Sequence, residues 1–377
     1  MPPSNQDFFI ELKDWSERKL QLLDKYLSAS SKILGSIDKV YYVDGFAGAG
    51  IYSSDGSKGS PIRAAEIAQK YHQEKRLYSL VCVNVEDDKD NFANLEASTS
   101  SFGSLVKNYH GTFVDNVDQI LQLIGTHPAI FFLDPFGVKD ITWDAISKVI
   151  QRGHPTDIWI RFDYYTVRRL DGSFGKSEIS EQKKYSRLCD IFGNPDRTHL
   201  HSILSGVTPS QRINNAVSLY EERLVNEYKK VRGQGFSGSY KIKALAGRDK
   251  YFLVFATAHP LGARIASTTV NSIEETYQRE LEEYKEKIRK QPYLFSINPS
   301  QEELSNVKVE KLWKDIWDLC RGEKLSRSEI HMRLLPTWFG KIGESHLTQA
   351  FRKLISQGKL PPMKKVSGDN VIFEFRT

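Results

Sequence analysis

The first hydrophobic pattern along the chain is helical. Phe9, Leu12, Ser16, Leu20, Leu23 and Leu27 recur at spacings of three and four with charges between them, which lays one apolar stripe along a helix. Past Gly35 the pattern changes to VYYVDGFAGAG (40–50), an apolar strand running into a glycine turn. Ser60-Pro61 predicts the next helix, with serine as N-cap and proline at the first helical position. LYSLVCVNVE (77–86) predicts a second strand and DKDNFANLEAS a short helix. Residues 104–110 predict a third strand and Val117 to Ile124 a helix; PAIFFLDPFG (128–137) is a fourth strand, Thr142 to Ile150 a helix, and TDIWIRFDYY (156–165) a fifth strand. Strand and helix alternating in this way predict a parallel sheet with helices on both faces.

The rhythm breaks over about 166–238, a polar, helix-rich insertion with turn signals at DGSFG, FGNPD and GQGFSGS. YKIKAL (240–245) and YFLVFATAH (251–259), joined by AGRDK, then predict an antiparallel hairpin. The expected fold is α/β: a doubly wound, seven-stranded Rossmann-type sheet whose last strand is antiparallel. A charged helix over 274–290 suits a linker. The tail predicts helices over Val309–Cys320, Ser326–Leu334 and Glu344–Gln357, closed by Gly358, and then a β-ribbon from Met363 to Phe375 that turns at SGDN. Three helices and a ribbon follow the order of a winged helix. The expected domains are 1–273, a linker over 274–303, and 304–377.

The 377-residue length fits one large domain with a small appendage. Apolar residues at 40% and charged residues at 27% are the balance of a globular protein. No apolar run approaches the ~20 residues of a bilayer crossing, and MPPSNQDFFIELKDW lacks the layout of a secretory signal. Cys82, Cys189 and Cys320 form no CxxC pair and no zinc-type cluster. Such sparse cysteines suit a reducing cytoplasm, and no metal is expected. Charge becomes informative once located: Leu304 to Thr377 holds 14 Lys and Arg against 8 Asp and Glu, the whole net charge of +6. That excess suits phosphate-rich partners such as nucleic acid, or else is a merely solvated face.

The sharpest chemical signal is Gly45-x-x-Gly48-x-Gly50. It is neither GxGxxG nor a Walker loop, which argues against nicotinamide and ATP; Asp44 and Phe46 flank its first glycine. Glu86, with Asp87 and Asp88 as neighbours, stands at the strand end where a carboxylate meets ribose hydroxyls. An acidic cap on the following helix would produce the same cluster. Asp134, Pro135 and Phe136 end the fourth strand. Enzymes methylating exocyclic base amines place Asp or Asn, Pro, Pro and an aromatic there. With Phe136 and Gly137 in the last two places, a plain strand-ending turn is an equal alternative. Arg161, Arg168 and Arg169 lie among Phe162, Tyr164 and Tyr165. They suit base stacking and phosphate contact, or else a structural cation–π cluster. Arg352 on the third tail helix, with Lys364 and Lys365 on the ribbon, would contact nucleic acid, or else the small domain is a protein-interaction module.

FFIELKDWSERKLQLLDKYL, YYVDGFAGAG, VEDDKDNFANL, FFLDPFG and YFLVFATAHPLG, in that order across roughly residues 8–265, resemble the three-Cys-motif partner protein family (TcmP). The resemblance implies a class I methyltransferase-like fold that binds S-adenosylmethionine. It also implies a bacterial or phage setting and a radical-S-adenosylmethionine-like partner that itself carries the three cysteines. On that pattern Asp44 would hold the methionine end of the cofactor, with Gly48 and Gly50 shaping the turn, Glu86 on the ribose and Asp134 orienting the acceptor. Thr112 stands where many methyltransferases carry an acid near adenine. The expectation is a cytoplasmic S-adenosylmethionine-dependent methyltransferase-like protein acting on or with nucleic acid. The alternative is a non-catalytic partner that uses the fold as a scaffold.

Overall fold

The computed structural model describes residues 13–36, 38–53, 55–74, 79–135, 141–163, 178–193, 196–204, 207–246, 249–288 and 301–376. Two compact units divide the chain after Gly262. In the first, α1 (Asp14–Leu34) precedes β1 (Val40–Asp44), α2 (Ser60–Gln73), β2 (Leu80–Glu86), α3 (Lys89–Thr99), β3 (Val106–His110) and α4 (Phe113–Ile124). Then come β4 (Ala129–Leu133), α5 (Trp143–Gln151), β5 (Thr156–Phe162), α6 (Glu178–Phe192), α7 (Arg197–Leu204), α8 (Pro209–Arg232), β6 (Phe236–Lys243) and β7 (Asp249–Thr257).

The seven strands form one sheet in the order β3-β2-β1-β4-β5-β7-β6. Neighbours from β3 to β5 pair in parallel, while β7 is antiparallel to both β5 and β6. This is the expected doubly wound, seven-stranded sheet with one reversed strand. The central strands are mostly apolar because both faces are covered: β1, β2 and β4 are buried at every residue, with Asp44, Asn84 and Glu86 the polar exceptions. One face, with Val43, Val83, Phe131 and Ile160, packs against α4, α5, α6 and α8. On the other, Tyr26 of α1 meets Trp159 and Phe255 edge-on, each at 5.3 Å. Its hydroxyl donates to Asp157 at 2.8 Å.

The helices start where short polar side chains satisfy free N–H groups. Asp88, Thr112, Thr142 and Thr208 cap α3, α4, α5 and α8. At α2 the cap is Gly59, one residue before the serine expected there. The turn expected over GQGFSGS is confined to residues 233–235, opened by left-handed Gly233: Phe236 to Ser239 already belong to β6 and pair with Thr257 to Val254 of β7. Of the expected third strand, residues 104–105 are the end of a 3₁₀ turn. The insertion is helical where described, in α6, α7 and α8, and residues 164–177 lie outside the described residues. No helix among the described residues is long and apolar enough to cross a membrane.

The second unit continues α9 (Pro260–Ile288) and adds α10 (Gln301–Cys320), β8 (Lys324–Ser326), α11 (Arg327–Trp338), α12 (Glu344–Ser356) and β9 (Ile372–Glu374). Residues 274–288 of the expected linker are helix, and 289–300 lie outside the described residues. Its own core joins Leu312, Ile316, Ile330, Leu334, Leu347, Phe351 and Phe373. The expected ribbon over 363–375 is corrected: β9 pairs antiparallel with β8, a strand ahead of α11, and residues 363–366 are not strand.

Candidate functional site

The turn after β1 is tied to both neighbouring strands. Gly45 N–H donates to Phe132 O at 3.0 Å and Ala47 N–H to Val85 O at 2.9 Å. A Cβ on Gly45 would stand 2.6 Å from Leu133 Cδ2 and 3.1 Å from Phe113 Cδ2, so any larger residue there has to displace two buried side chains. Gly48 and Gly50 are needed for another reason, with φ of 65° and 80°. Gly50 O then accepts from Gly59 N–H at 2.7 Å, and the arch between them delivers the chain into α2.

Asp44, at the foot of the turn, is wholly buried. Its carboxylate accepts from Phe46 N–H at 3.1 Å and Tyr42 Oη at 3.3 Å. Burial pushes its pKa up to about 6, against the opposing hydrogen bonds from Ser60 and Phe46. Of the acidic trio, Glu86 faces the turn: Oε2 accepts from Gly48 N–H at 2.8 Å and Oε1 from Asp88 N–H at 2.9 Å. Burial raises its pKa as well. Asp88 is spent on capping α3. The Thr112 hydroxyl is likewise used at the start of α4, accepting from Asp115 N–H and donating to the Asp115 carboxylate at 2.6 Å.

Phe46 and Gly50 of the turn and Asp134 after β4 line one cavity, together with Lys19, Leu20, Ile51, Tyr52 and Ser60. Its enclosed space is about 20 Å3, room for a water-sized group. Asp134 binds two cations there: Lys19 Nζ pairs with Oδ2, and Arg161 Nη1 lies 3.4 Å from Oδ1. The Lys19 and Asp134 side chains are only 7% and 10% exposed. Arg161 also stacks on Tyr251 at 4.4 Å from the ring centre. Its guanidinium therefore stands in the cation–π and salt-bridge arrangement weighed against nucleic-acid contact. Pro135 is buried; Phe136, Gly137, Arg168 and Arg169 lie outside the described residues.

Lys19 is the site residue that sequence reasoning missed. It precedes Leu20 on α1, one position off the apolar stripe, and reads there as solvated charge. Nothing local ties it to a carboxylate 115 residues away. Arg352, Lys364 and Lys365 are brought together elsewhere, in a groove of the second unit.

The raised Asp44 pKa sets a pH dependence of stability. The folded protein binds this proton up to about pH 6, whereas the unfolded chain releases it near pH 3.9. Between those values the folded state holds more protons, so stability falls as pH rises. The expected decline is on the order of 2–3 kcal/mol at 1.36 kcal/mol per pKa unit. Asp44→Asn keeps an acceptor for Phe46 N–H and has no proton to lose, so its denaturant midpoint should lack that decline. Parallel slopes for both proteins from pH 4 to 7 would refute the assignment.

No protein-family model and no curated protein sequence matches the chain. Among solved structures it is similar to an O-methyltransferase from Bacillus cereus in complex with SAH, at 12% identity over 63% of this chain and 80% of that one, with a TM-score of 0.33. It is similar also to the O-methyltransferase TomG from Streptomyces achromogenes in complex with SAM, at 12% identity over 66% and 91%, with a TM-score of 0.33. PKMT2 from Rickettsia typhi in complex with AdoHcy aligns at 9% identity over 93% of both chains, with a TM-score of 0.31. At these TM-scores the likeness is loose, and the fold assignment rests on the order and sense of this chain's own strands.

Proposed function

We propose that the chain is an S-adenosylmethionine-dependent methyltransferase-like protein that acts on or with nucleic acid, a member of the three-Cys-motif partner family by its sequence motifs. One observation carries the reading: at the carboxyl edge of the sheet, where open α/β folds bind ligands, the glycine turn is tied to the β2 carboxylate through Gly48 and lines a cavity with Asp134, which follows β4. The chemistry of the residues suits this cofactor. Each Glu86 oxygen takes one backbone N–H and the Asn91 side chain also bonds the carboxylate; of about four lone-pair sites one is left for a ribose hydroxyl, and release of Asn91 would free a second. Lys19 and Asp134 both line the cavity and pair with each other, so this ion pair would have to open before its ammonium and carboxylate could meet a zwitterionic amino-acid moiety. The enclosed volume is smaller than the ligand, so binding requires Lys19 and Leu20 of α1 or the Ile51–Tyr52 arch to move outward.

When bound, the cofactor would supply an electrophilic methyl group. Gly48 and Gly50 would let backbone approach it, and Glu86 would orient it through the ribose. Asp134 would accept from the acceptor group only after giving up Lys19 or Arg161. That double pairing favours, as a second reading, a non-catalytic scaffold for a radical-S-adenosylmethionine-like three-Cys protein. The excess positive charge of the last fifth of the chain, and its winged-helix-like order of three helices and a two-stranded sheet, support nucleic acid as the partner.

Calorimetric titration with S-adenosylmethionine tests the cofactor. Micromolar binding, about 8 kcal/mol, is expected, and no heat at millimolar ligand would overturn it. Transfer of labelled methyl from the bound cofactor to nucleic acid separates enzyme from scaffold.

A further inference from the structure

The positive charge of the second unit is not evenly answered. Arg333 pairs with Glu323 at 2.6 Å, Arg264 with Asp369 at 2.6 Å, and Lys353 with Glu310. Arg352, Lys364 and Lys365 are exposed, and their charged heads make no ion pair or hydrogen bond among the described residues. These three unanswered cations converge on one groove of about 290 Å3. Arg352 and Ile355 form its helical wall on α12, three residues apart and hence on one face. Met363 to Val366 form the facing wall.

A buried arginine holds the two walls together. Arg327, 2% exposed, donates through Nη1 to Val366 O at 2.7 Å. Through Nη2 it reaches Glu344 Oε2 at 2.8 Å and Thr348 Oγ1 at 3.3 Å, both on α12. The spacing of the walls is thus fixed before any ligand arrives, which lowers the ordering cost of binding.

We propose that this groove binds the phosphate backbone of a nucleic-acid strand, with Arg352, Lys364 and Lys365 on phosphates and the Ile355–Met363–Val366 floor against sugar or base. Converging like charges with no counter-charge create a local potential that favours a polyanion. A groove at the low end of the ~300–1,000 Å3 range of ligand sites takes in one nucleotide-sized unit at a time. Ile355 and Met363 are half-buried and Val366 buried, so the apolar floor receives a group and does not project into a bilayer. The assignment rests on the nucleic-acid part of the proposed function and is independent of the cofactor site.

The test is fluorescence anisotropy of the full chain with a fluorescein-labelled 20-mer, single-stranded and duplex, across a salt series. Arg352→Ala/Lys364→Ala/Lys365→Ala removes three surface cations without partners, so its thermal melt should match wild type. The variant is expected to bind at least 30-fold more weakly at 100 mM salt. The slope of log affinity against log salt should shrink by about two to three, at roughly 0.7–0.9 per phosphate contact. Inorganic phosphate at millimolar concentration should not displace the oligonucleotide. Equal binding by variant and wild type, no binding by wild type, efficient displacement by phosphate, or triple-variant-sensitive binding to anionic vesicles alone would each overturn the proposal. Titration of the same variant with S-adenosylmethionine keeps the two sites apart, since failure of the groove leaves that isotherm unchanged.

Discussion

Asp134→Ala is expected to destabilise the first unit by about 3–5 kcal/mol, the usual cost of breaking a buried ion pair by removing one partner. Lys19 and Arg161 both lose their carboxylate, and their side chains are 7% and 15% exposed. Neither has room to reach bulk water without moving α1 or leaving the Tyr251 ring. Replacing the pair by apolar groups of similar size, Lys19→Met/Asp134→Leu, removes one stranded cation and should recover a large part of the loss. Urea unfolding of wild type, both single variants and the double variant gives the coupling energy directly. A loss below 1 kcal/mol for Asp134→Ala would mean that the three groups are solvated in the native state. The expected destabilisation also governs how the site is probed chemically. Asp134→Asn, which keeps an oxygen for Arg161, is the variant whose turnover reports on acceptor orientation.

Gly48→Arg is expected to weaken S-adenosylmethionine at least 100-fold, about 2.7 kcal/mol, with a smaller loss of stability. The residue holds φ of 65°, a region that costs a side-chain-bearing residue roughly 1–2 kcal/mol. Its N–H is fixed on Glu86, so an added arginine lies beside that carboxylate and competes for the lone pairs assigned to ribose. Between Ala47 and Gly50, both of which line the cavity, a long side chain also fills the approach to the turn. Calorimetry on the folded variant gives the answer. An unchanged dissociation constant would put the cofactor somewhere other than the β1 turn.

Some of this architecture is written locally. β1, β2, β4 and β5 are rich in apolar residues without alternation because a strand covered on both faces has no solvent side to show. Their alternation with helices and the reversal after the 240s are visible in the chain, whereas the start of α4 at Phe113 behind its Thr112 cap lies four residues before the expected Val117. The glycine turn is legible for the same reason: φ values of 65° and 80° leave few residue types able to stand there.

Other parts escaped because their cause lies far off in sequence. Phe236 to Ser239 read as a flexible turn by composition, yet hydrogen bonds to β7 make them an edge strand. β8 is three residues long, too short for any period, and exists because β9 returns to pair with it.

The sequence by itself determined the sheet, its helical layers and the turn beneath the candidate site, since periodicity and backbone freedom are properties of neighbouring residues. Only the tertiary structure decided which charges meet. Lys19, Asp134 and Arg161 come from α1, the end of β4 and β5, Asp134 being the residue after that strand, and Arg352 shares a groove with Lys364 and Lys365 whose walls buried Arg327 bridges. An ion pair or a shared groove depends on separation in space, and no spacing along the chain encodes it.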